Sequence, residues 1–227
     1  MVSAESAPSP SRLAAAMYEG KEDQGLRSGQ GTLTFGNGDT YVGEFSKGFR
    51  HGRGRYTYLR GTVVYDGEWR RSLRHGHGKE VCRDASQRIR WSYEGAYEND
   101  KKHGRGVERK TAQGTYVGSF VHDLKDGAGV MTWHNGNTYD GQWKDGRMCG
   151  LGKYVRQADG SFYDGMWVHG LRHGRGRAVS KAEIYDGMWK EGLMHGEGMV
   201  IVDAKQRRGV WERGQRVKWT SAEALVQ

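Results

Sequence analysis

The sequence predicts an all-β protein, an elongated array of stacked antiparallel β-hairpins. Glycine is abundant, with 37 residues against 2 prolines, and the apolar content is unusually aromatic, with 12 Tyr, 8 Trp and 5 Phe. Because glycine weakens the interior of regular elements, a folded chain keeps this many only where positive φ or close backbone approach recurs. Glycine and aromatic residues also recur at a fixed spacing, which indicates a repeated structural unit.

The repeated unit begins Tyr-x-Gly-x-aromatic and continues, after six further residues, with Gly-x-Gly. Good copies begin at Tyr41, Tyr65, Tyr93, Tyr116, Tyr139, Tyr163 and Tyr185. A first copy at Tyr18 has Glu22 in place of the aromatic residue, and a last copy keeps only Gly209 and Trp211. Degenerate end copies are typical of the capping units of repeat proteins.

The tyrosine, the glycine and the aromatic residue of each copy occupy alternate positions, and this period of two predicts a strand with all three on one face. The glycine leaves space above the backbone, and we expect a ring from the neighbouring hairpin to fill it. The predicted repeat core consists of Tyr41, Gly43, Phe45, Tyr65, Gly67, Trp69, Tyr93, Gly95, Tyr97, Tyr116, Gly118, Phe120, Tyr139, Gly141, Trp143, Tyr163, Gly165, Trp167, Tyr185, Gly187 and Trp189.

A second strand follows Gly-x-Gly and ends at turn-forming pairs such as Asn37-Gly38. The array is predicted to span residues 18–212 as about eight hairpins, with an insertion near 82–91, after a flexible N-terminal tail over residues 1–17. Residues 213–227 are predicted to form a C-terminal cap or tail. There Ser221 is a candidate N-cap for a short helix that would cover the last sheet edge.

The copies at residues 65–69 and 163–167 read Tyr-Asp-Gly-Glu-Trp and Tyr-Asp-Gly-Met-Trp, and both continue to His-Gly-x-Gly. They closely resemble the MORN (membrane occupation and recognition nexus) repeat, and the resemblance covers residues 18–212. It implies a stack of antiparallel hairpins and a role at membrane–cytoskeleton junctions, in axonemes or in related cytoskeletons. Tyr97, Asp126 and Cys149 depart from the pattern and affect the regularity of single copies.

The chain is most similar to the small, all-repeat MORN members of radial spoke heads in cilia and flagella. This resemblance predicts a non-catalytic structural scaffold of an axonemal radial spoke head or similar assembly, with other structural proteins of that complex as partners. The expected location is the cytoplasm and cytoskeleton, in the axoneme of a cilium or flagellum. Exposed end hairpins are candidates for homo- or hetero-association.

Three features predict an intracellular protein that does not span a membrane. Cys82 and Cys149 lie in different copies, without the spacing of a disulfide framework or a zinc site. The first residues lack the pattern of a secretory signal. Nowhere do about 18 apolar residues run together.

Lysine and arginine exceed aspartate and glutamate, 36 against 27, which favours an acidic partner. Many cations fall between the aromatic residue and Gly-x-Gly, a stretch expected to be a loop, so aligned loops would form one cationic edge. Its candidate partner-binding residues are Arg50, Arg53, Arg74, Lys102, Arg105, Arg172 and Arg175. The edge is open to three interpretations: a solvated rim, a site for an acidic protein, or a phosphoinositide or other anionic membrane surface. Nucleic acid is disfavoured, because the fixed register within hairpins explains the Arg-Gly runs better than RNA binding does.

No catalytic, cofactor or metal site is predicted. The repeat histidines would lie roughly 9–10 Å apart in stacked hairpins, too far to share a metal ion, and we expect them to bond backbone groups. Acidic residues also recur once per copy, whereas a catalytic site breaks symmetry. The Gly-x-Gly pairs lack the lysine and the βαβ context of nucleotide-binding loops. The insertion from Asp84 to Arg90 is the one irregular place in which to look for a polar cluster.

Overall fold

The computed structural model describes residues 16–226, which form one antiparallel sheet of nineteen strands and contain no helix. The strands are β1 (Met17–Asp23), β2 (Leu26–Thr34), β3 (Thr40–Ser46), β4 (Phe49–Tyr58), β5 (Val63–Arg70), β6 (Leu73–Arg83), β7 (Ile89–Glu98), β8 (Lys101–Lys110), β9 (Gly114–Val121), β10 (Leu124–Trp133), β11 (Thr138–Lys144), β12 (Arg147–Val155), β13 (Phe162–Val168), β14 (Leu171–Val179), β15 (Ile184–Lys190), β16 (Leu193–Val202), β17 (Lys205–Glu212), β18 (Gln215–Trp219) and β19 (Ala224–Leu225). The all-β array of stacked hairpins predicted from the repeat is confirmed. The predicted N-terminal tail lies outside the described residues up to position 15, and Met17 already belongs to β1.

The sheet is a continuous meander, because each strand from β1 to β17 pairs antiparallel with the next one along the chain. Each hairpin is therefore held by its neighbours, as in other repeat arrays.

The C-terminal segment forms a strand, β19. The prediction of a short helix after Ser221 is therefore wrong. Ala224–Leu225 pair with the first half of β17, opposite Gln206 and Lys205. The physical reason is that β18 is short and pairs only with the second half of β17. Without β19, the remaining backbone groups of β17 would lack partners at the sheet edge. Ser221 Oγ accepts a hydrogen bond from the backbone N–H of Arg208 at 3.0 Å and so helps to hold this edge.

A tight turn follows the aromatic residue of each hairpin. Between β3 and β4, Lys47 and Gly48 have φ of 50° and 82°. Two consecutive positive φ values define a type I′ turn, whose twist matches that of paired strands. The next strand therefore starts directly after the turn, at Phe49. Most of the stretch expected to be a loop is strand, with a bulge at Gly52, where φ is 58°.

Each turn is also bonded to the hairpin before it. The N–H of Gly48 donates to the carbonyl of Arg27 at 3.0 Å, and the N–H of Gly192 donates to the carbonyl of Arg172 at 2.9 Å. The same bond recurs at Ser72, Asp100, Asp123, Gly146, Gly170 and Gly214. Successive hairpins are thereby locked in register, and turn N–H groups that would otherwise need water are satisfied.

One glycine from each of β1 to β17 contributes to a continuous row across the sheet, the glycine row. Its members are Gly20, Gly31, Gly43, Gly54, Gly67, Gly78, Gly95, Gly106, Gly118, Gly129, Gly141, Gly152, Gly165, Gly176, Gly187, Gly198 and Gly209. A Cβ added at Gly54 would lie 2.1 Å from Tyr41 Oη, and one added at Gly43 would lie 2.4 Å from Gly54 Cα. The expectation that a neighbouring hairpin covers these glycines is therefore wrong. The covering ring belongs to the same hairpin, because it leans along its own strand.

Substitution in the glycine row should destabilise the array far more than substitution in a turn. In Gly165→Ala, the new Cβ would lie 2.4 Å from Gly176 Cα and 2.7 Å from Tyr163 Oη, so backbone or ring must move. We expect a loss of about 3 kcal/mol in the free energy of unfolding, measured by urea denaturation. In the control Gly146→Ala, nothing lies within 4 Å of the new Cβ and φ is 77°, so only about 1 kcal/mol should be lost. Equal losses in the two variants would contradict this account of the core.

Candidate functional site: the aromatic face

The rings of the repeat form an unbroken ladder on one side of the sheet, which we call the aromatic face. Tyr41 contacts the ring of its own hairpin, Phe45, at 5.1 Å between centroids and the ring of the next hairpin, Trp69, at 5.4 Å, both edge to face. The alternation continues from Tyr18 to Trp211. Every ring predicted for the repeat core lies in this one buried cluster. Each edge-to-face pair contributes about 0.5–1.5 kcal/mol beyond the burial of area.

The tyrosine hydroxyls and tryptophan indole N–H groups of these rings form hydrogen bonds within the array. Tyr41 Oη donates to the carbonyl of Glu44, three residues on, at 2.9 Å, and the other repeat tyrosines make the same bond. Trp69 Nε1 donates to the carbonyl of Gly54 in the preceding hairpin at 2.9 Å, and the other repeat tryptophans do likewise. Burial raises the pKa of Tyr163 to about 12, so this hydroxyl stays a proton donor at neutral pH.

A cation lies over the rings of most hairpins, at the second residue of the second strand, which we call the cation position. Arg50 Cζ lies 4.3 Å from the centroid of the Trp69 ring, and Arg172 Cζ lies 5.0 Å from that of Trp189. The other cations at this position are Arg27, Arg74, Lys102 and Lys125. Met148 and Met194 occupy it in two C-terminal hairpins and pack against the ladder. Such a cation on an aromatic face contributes about 0.5–2 kcal/mol.

The seven candidate cations do not form one edge. Those on the aromatic face, half-buried over the rings, are Arg50, Arg74, Lys102 and Arg172. Those exposed on the opposite side of the sheet, the outer face, are Arg53, Arg105 and Arg175. The expected single ridge of loop residues is therefore wrong. All seven belong to strands, in which successive side chains alternate between faces.

The outer face carries alternating charges beside the glycine row. The register places Arg55 opposite Asp66, Asp66 opposite Lys79, and Lys79 opposite Glu94. Lys79 Nζ lies 3.0 Å from Glu94 Oε2. The same ladder resumes through Asp140, Lys153, Asp164, Arg177 and Asp186. The acidic residues that recur after the repeat tyrosine therefore face cations of the intervening strands, and each exposed pair contributes little stability.

The C-terminal part of the aromatic face contains a groove. Its central section, about 510 Å³, is lined by residues that include Tyr154, Arg172 and Trp189. Adjoining sections share lining residues with it and extend the groove to Met148 on one side and to Trp219 on the other. A groove lined by aromatic rings, flexible methionines and several cations suits apolar side chains that carry a polar group.

Residues 16–226 contain no cluster of His, Cys, Asp and Glu side chains that could hold a metal ion. The expectation that the repeat histidines bond backbone groups does not hold for His75 and His103, because both buried Nδ1 atoms lack a hydrogen-bond partner among the described residues. His103 Nδ1 instead lies 3.5 Å from Glu98 Oε2.

The insertion is an ordered turn. Asp84 Oδ1 accepts hydrogen bonds from the N–H groups of Ser86 at 2.8 Å and Arg88 at 3.0 Å. These bonds are typical of an aspartate that stabilises a local turn.

Across residues 16–226 there is no helix long and apolar enough to cross a membrane.

Comparison with known families identifies the repeat. The model of the MORN repeat matches residues 18–40, 41–63, 65–87, 93–114, 116–138, 139–158, 163–180 and 185–200. The chain belongs to the MORN-repeat family. MORN repeats are generally non-enzymatic and act in protein or membrane interactions.

Two known proteins are similar to this MORN-repeat chain. MORN repeat-containing protein 3 of Xenopus laevis is 34% identical over 79 residues, which are 34% of this chain and 33% of that protein. The similarity thus spans about a third of the relative's length. Among solved structures, the wild-type TCP10 domain of Danio rerio CPAP, in complex with a peptide of Danio rerio STIL, is 11% identical. That match covers 86% of this chain and 84% of that chain with a TM-score of 0.36, too low to bear on function.

The third MORN repeat contains a buried network that the repeat pattern does not predict. Glu80 is 5% exposed, and its Oε1 lies 2.6 Å from Arg74 Nη1 and accepts a hydrogen bond from Tyr58 Oη at 2.5 Å. Tyr97 Oη donates to Glu80 Oε2 at 3.3 Å, and Asp100 Oδ1 lies 3.2 Å from Arg74 Nε. Burial opposes the charge of Arg74, but these partners outweigh burial and raise the pKa of the guanidinium.

The fourth MORN repeat has a related ion pair. Glu108, 7% exposed, lies 2.5 Å from Lys102 Nζ and 3.1 Å from Lys110 Nζ. Burial favours the neutral carboxyl, but the two lysines outweigh this effect and lower the pKa of Glu108. The sequence feature that could have predicted this ion pair is Glu108 itself, a charged residue at a strand position that faces the rings. The equivalent position in the first repeat holds Leu33.

The lowered pKa of Glu108 predicts a stability difference that depends on pH. Its contribution should be fully present above the unfolded pKa of about 4.3 and lost as the pH falls through the lower folded value. Glu108→Gln should therefore lower the melting temperature by roughly 5 °C at pH 7, because a charged hydrogen bond of about 2 kcal/mol is lost. Near pH 3 the melting curves of the variant and the wild type should approach each other. Glu197→Gln, an exposed change of the same kind, is the control; a gap for Glu108→Gln that stays constant down to pH 3 would contradict the ion pair.

Proposed function

We propose that this MORN-repeat chain is a non-catalytic structural scaffold whose aromatic face binds a segment of a partner protein, in an axonemal radial spoke head or a similar cytoskeletal assembly. The family supports the general part, because MORN repeats act in protein or membrane interactions. The placement in a cilium or flagellum rests on the resemblance of this repeat array to the small radial spoke head members. Its partners are then other structural proteins of that complex.

The groove on the aromatic face carries this proposal. Its lining includes Met148, Tyr154, Met194 and Trp219, which are only partly buried against the ladder. A partner segment that covers such side chains removes apolar area from water, and buried aromatic contacts contribute strongly to protein interfaces. The flexible methionines can adapt to the shape of the segment.

The alternative is a phosphoinositide-binding or other anionic-membrane adaptor, supported by the formal charge of +9 and by the arginines of the outer face. Two of these arginines, however, have acidic residues beside them. Arg175 Nη2 lies 3.6 Å from Asp186 Oδ1, and Arg53 faces Glu68 across the strand pair. Because membrane attraction depends on uncompensated exposed cations, the protein partner is the better-supported function.

The N-terminal edge is a second candidate surface. Within residues 16–226, β1 pairs with β2 and has no strand on its other side. Homo- or hetero-association through the end hairpins would use this edge. However, β1 carries exposed charges at Glu19, Lys21, Glu22 and Asp23, which oppose unspecific strand addition. We therefore assign partner binding to the aromatic face.

Matched lysine substitutions on the two faces test this function. Met148→Lys with Met194→Lys places on the aromatic face a cation that other hairpins tolerate there, as Lys125 shows. Met166→Lys with Met188→Lys adds the same charge on the outer face, where both methionines are exposed. In pull-downs from ciliated cell extract, the first pair should lower the recovery of radial spoke proteins by about tenfold, because about 1.4 kcal/mol of apolar contact is lost. The second pair should leave the recovery unchanged.

The same variants distinguish the membrane adaptor. Each added lysine strengthens adsorption to anionic membrane by about 1 kcal/mol, on either face. If the protein is a lipid adaptor, both pairs should therefore increase co-sedimentation with vesicles of phosphatidylserine and phosphoinositide. The scaffold function would be refuted if the two double variants recovered equal amounts of spoke proteins, or if the pull-downs recovered only membranes.

A further inference from the structure

On the second strand of four hairpins, the residue six positions after the cation position contacts the cation, and we call this the cap position. Glu80 Oε1 lies 2.6 Å from Arg74 Nη1, and Glu108 Oε1 lies 2.5 Å from Lys102 Nζ. At other hairpins the cap contacts are Tyr56 with Arg50, 4.9 Å from ring centroid to Cζ, and Met131 with Lys125, 3.6 Å from Sδ to Nζ. The residue at the cap position thus covers the charged group of the cation. A carboxylate at this position neutralises the cation, whereas Tyr56 and Met131 do not.

The seventh MORN repeat has a cation without a cap. Its cation is Arg172, and its cap position holds Ala178, whose methyl group offers the guanidinium neither a charge nor a hydrogen-bond acceptor. The strand register shows that Ala178 is equivalent to Glu80 of the third repeat. Ala178 lies between Tyr163 and Tyr185 in the sheet. Glu80 lies between the corresponding tyrosines of the third and fourth repeats.

Within residues 16–226, Arg172 makes no ion pair with any carboxylate. Arg156 lines the same groove but is paired with Asp159, and Glu183 lines it without bonding Arg172. Burial lowers the pKa of Arg172, whereas the carboxylates around Arg74 raise the pKa of that residue. A half-buried guanidinium without a counter-charge gains from any carboxylate that reaches it.

From this internal comparison we infer that the space above Ala178 is a carboxylate subsite, in which an Asp or Glu side chain of the partner segment binds Arg172 as Glu80 binds Arg74. The inference rests on the proposed function and specifies the chemistry of the partner. Groove sections lined by Tyr154 and Met194 flank the subsite, so the acidic residue should have apolar neighbours. The partner is thus a peptide segment with one acidic residue between apolar residues.

The geometry of the subsite can be tested first in the intact protein without a partner. Ala178→Glu should be tolerated, because it reproduces the arrangement of the third repeat. Arg172→Met should also be tolerated, because methionine stands at the cation position in two hairpins. Combined, they should lower the melting temperature by about 5 °C more than the sum of the single changes, because the new carboxyl is left without its cation. Additive effects would show that the two positions do not meet.

Binding is tested by selecting peptides from a random phage-displayed library on the wild-type chain and on Ala178→Glu. The wild type should select peptides with an Asp or Glu between apolar residues, and Ala178→Glu should not, because its own carboxylate fills the subsite. In calorimetry, replacing the selected acid by its amide should weaken binding to the wild type by about tenfold and leave binding to Arg172→Met unchanged.

Selection of the same acidic peptides by both proteins, of peptides without an acid, or of no peptides would each overturn the subsite. Peptides without an acid that still compete with partner protein would leave the scaffold function intact. Failure of the scaffold itself is read from the matched lysine variants, so the two failures are distinguishable.

Discussion

The contact between each repeat tyrosine and the paired glycines beneath it is the constraint on which the rest of the array depends. Tyr163 lies over Gly165 and Gly176 so closely that a Cβ at either glycine would overlap the hydroxyl. Because the ring leans along its own strand, its sides remain open to the ring of its own hairpin, Trp167, and to that of the next, Trp189. The same contact therefore determines the edge-to-face ladder and the spacing at which successive turns bond to one another.

The ladder makes the two faces of the sheet chemically different. The outer face balances its charges across strands, whereas the aromatic face holds the glycine row beneath the tyrosine rings and collects cations over those rings. In the third and fourth repeats, Glu80 and Glu108 neutralise these cations and close the face. From the sixth repeat onward, Met148, Ala178 and Met194 leave it open. A uniform fold thus carries a non-uniform surface, and the open groove lies towards one end of the array.

The core was predictable from the sequence, but the candidate site was so only in part. Arg50 and Arg53 both fall in a stretch that the sequence assigns to a loop, because the chain must turn between the aromatic residue and Gly-x-Gly. In the structure, Gly48 belongs to a two-residue turn and Gly52 to a bulge inside β4. Strand alternation therefore separates the two arginines onto opposite faces. The contact between Arg74 and its cap Glu80 could not be predicted from the sequence either, because it requires that the two side chains meet over one ring.

The sequence by itself determined the repeat, the strands and the residues that face the core, since alternation and turn chemistry are local properties of the chain. Only the tertiary structure decided which ring covers each glycine, how β19 completes the edge of β17, and which cations share the aromatic face. It alone revealed that, within the described part of the chain, Arg172 has rings beside it but no carboxylate paired with it. These outcomes depend on the register between strands and on distances between neighbouring hairpins, which a periodic pattern does not encode.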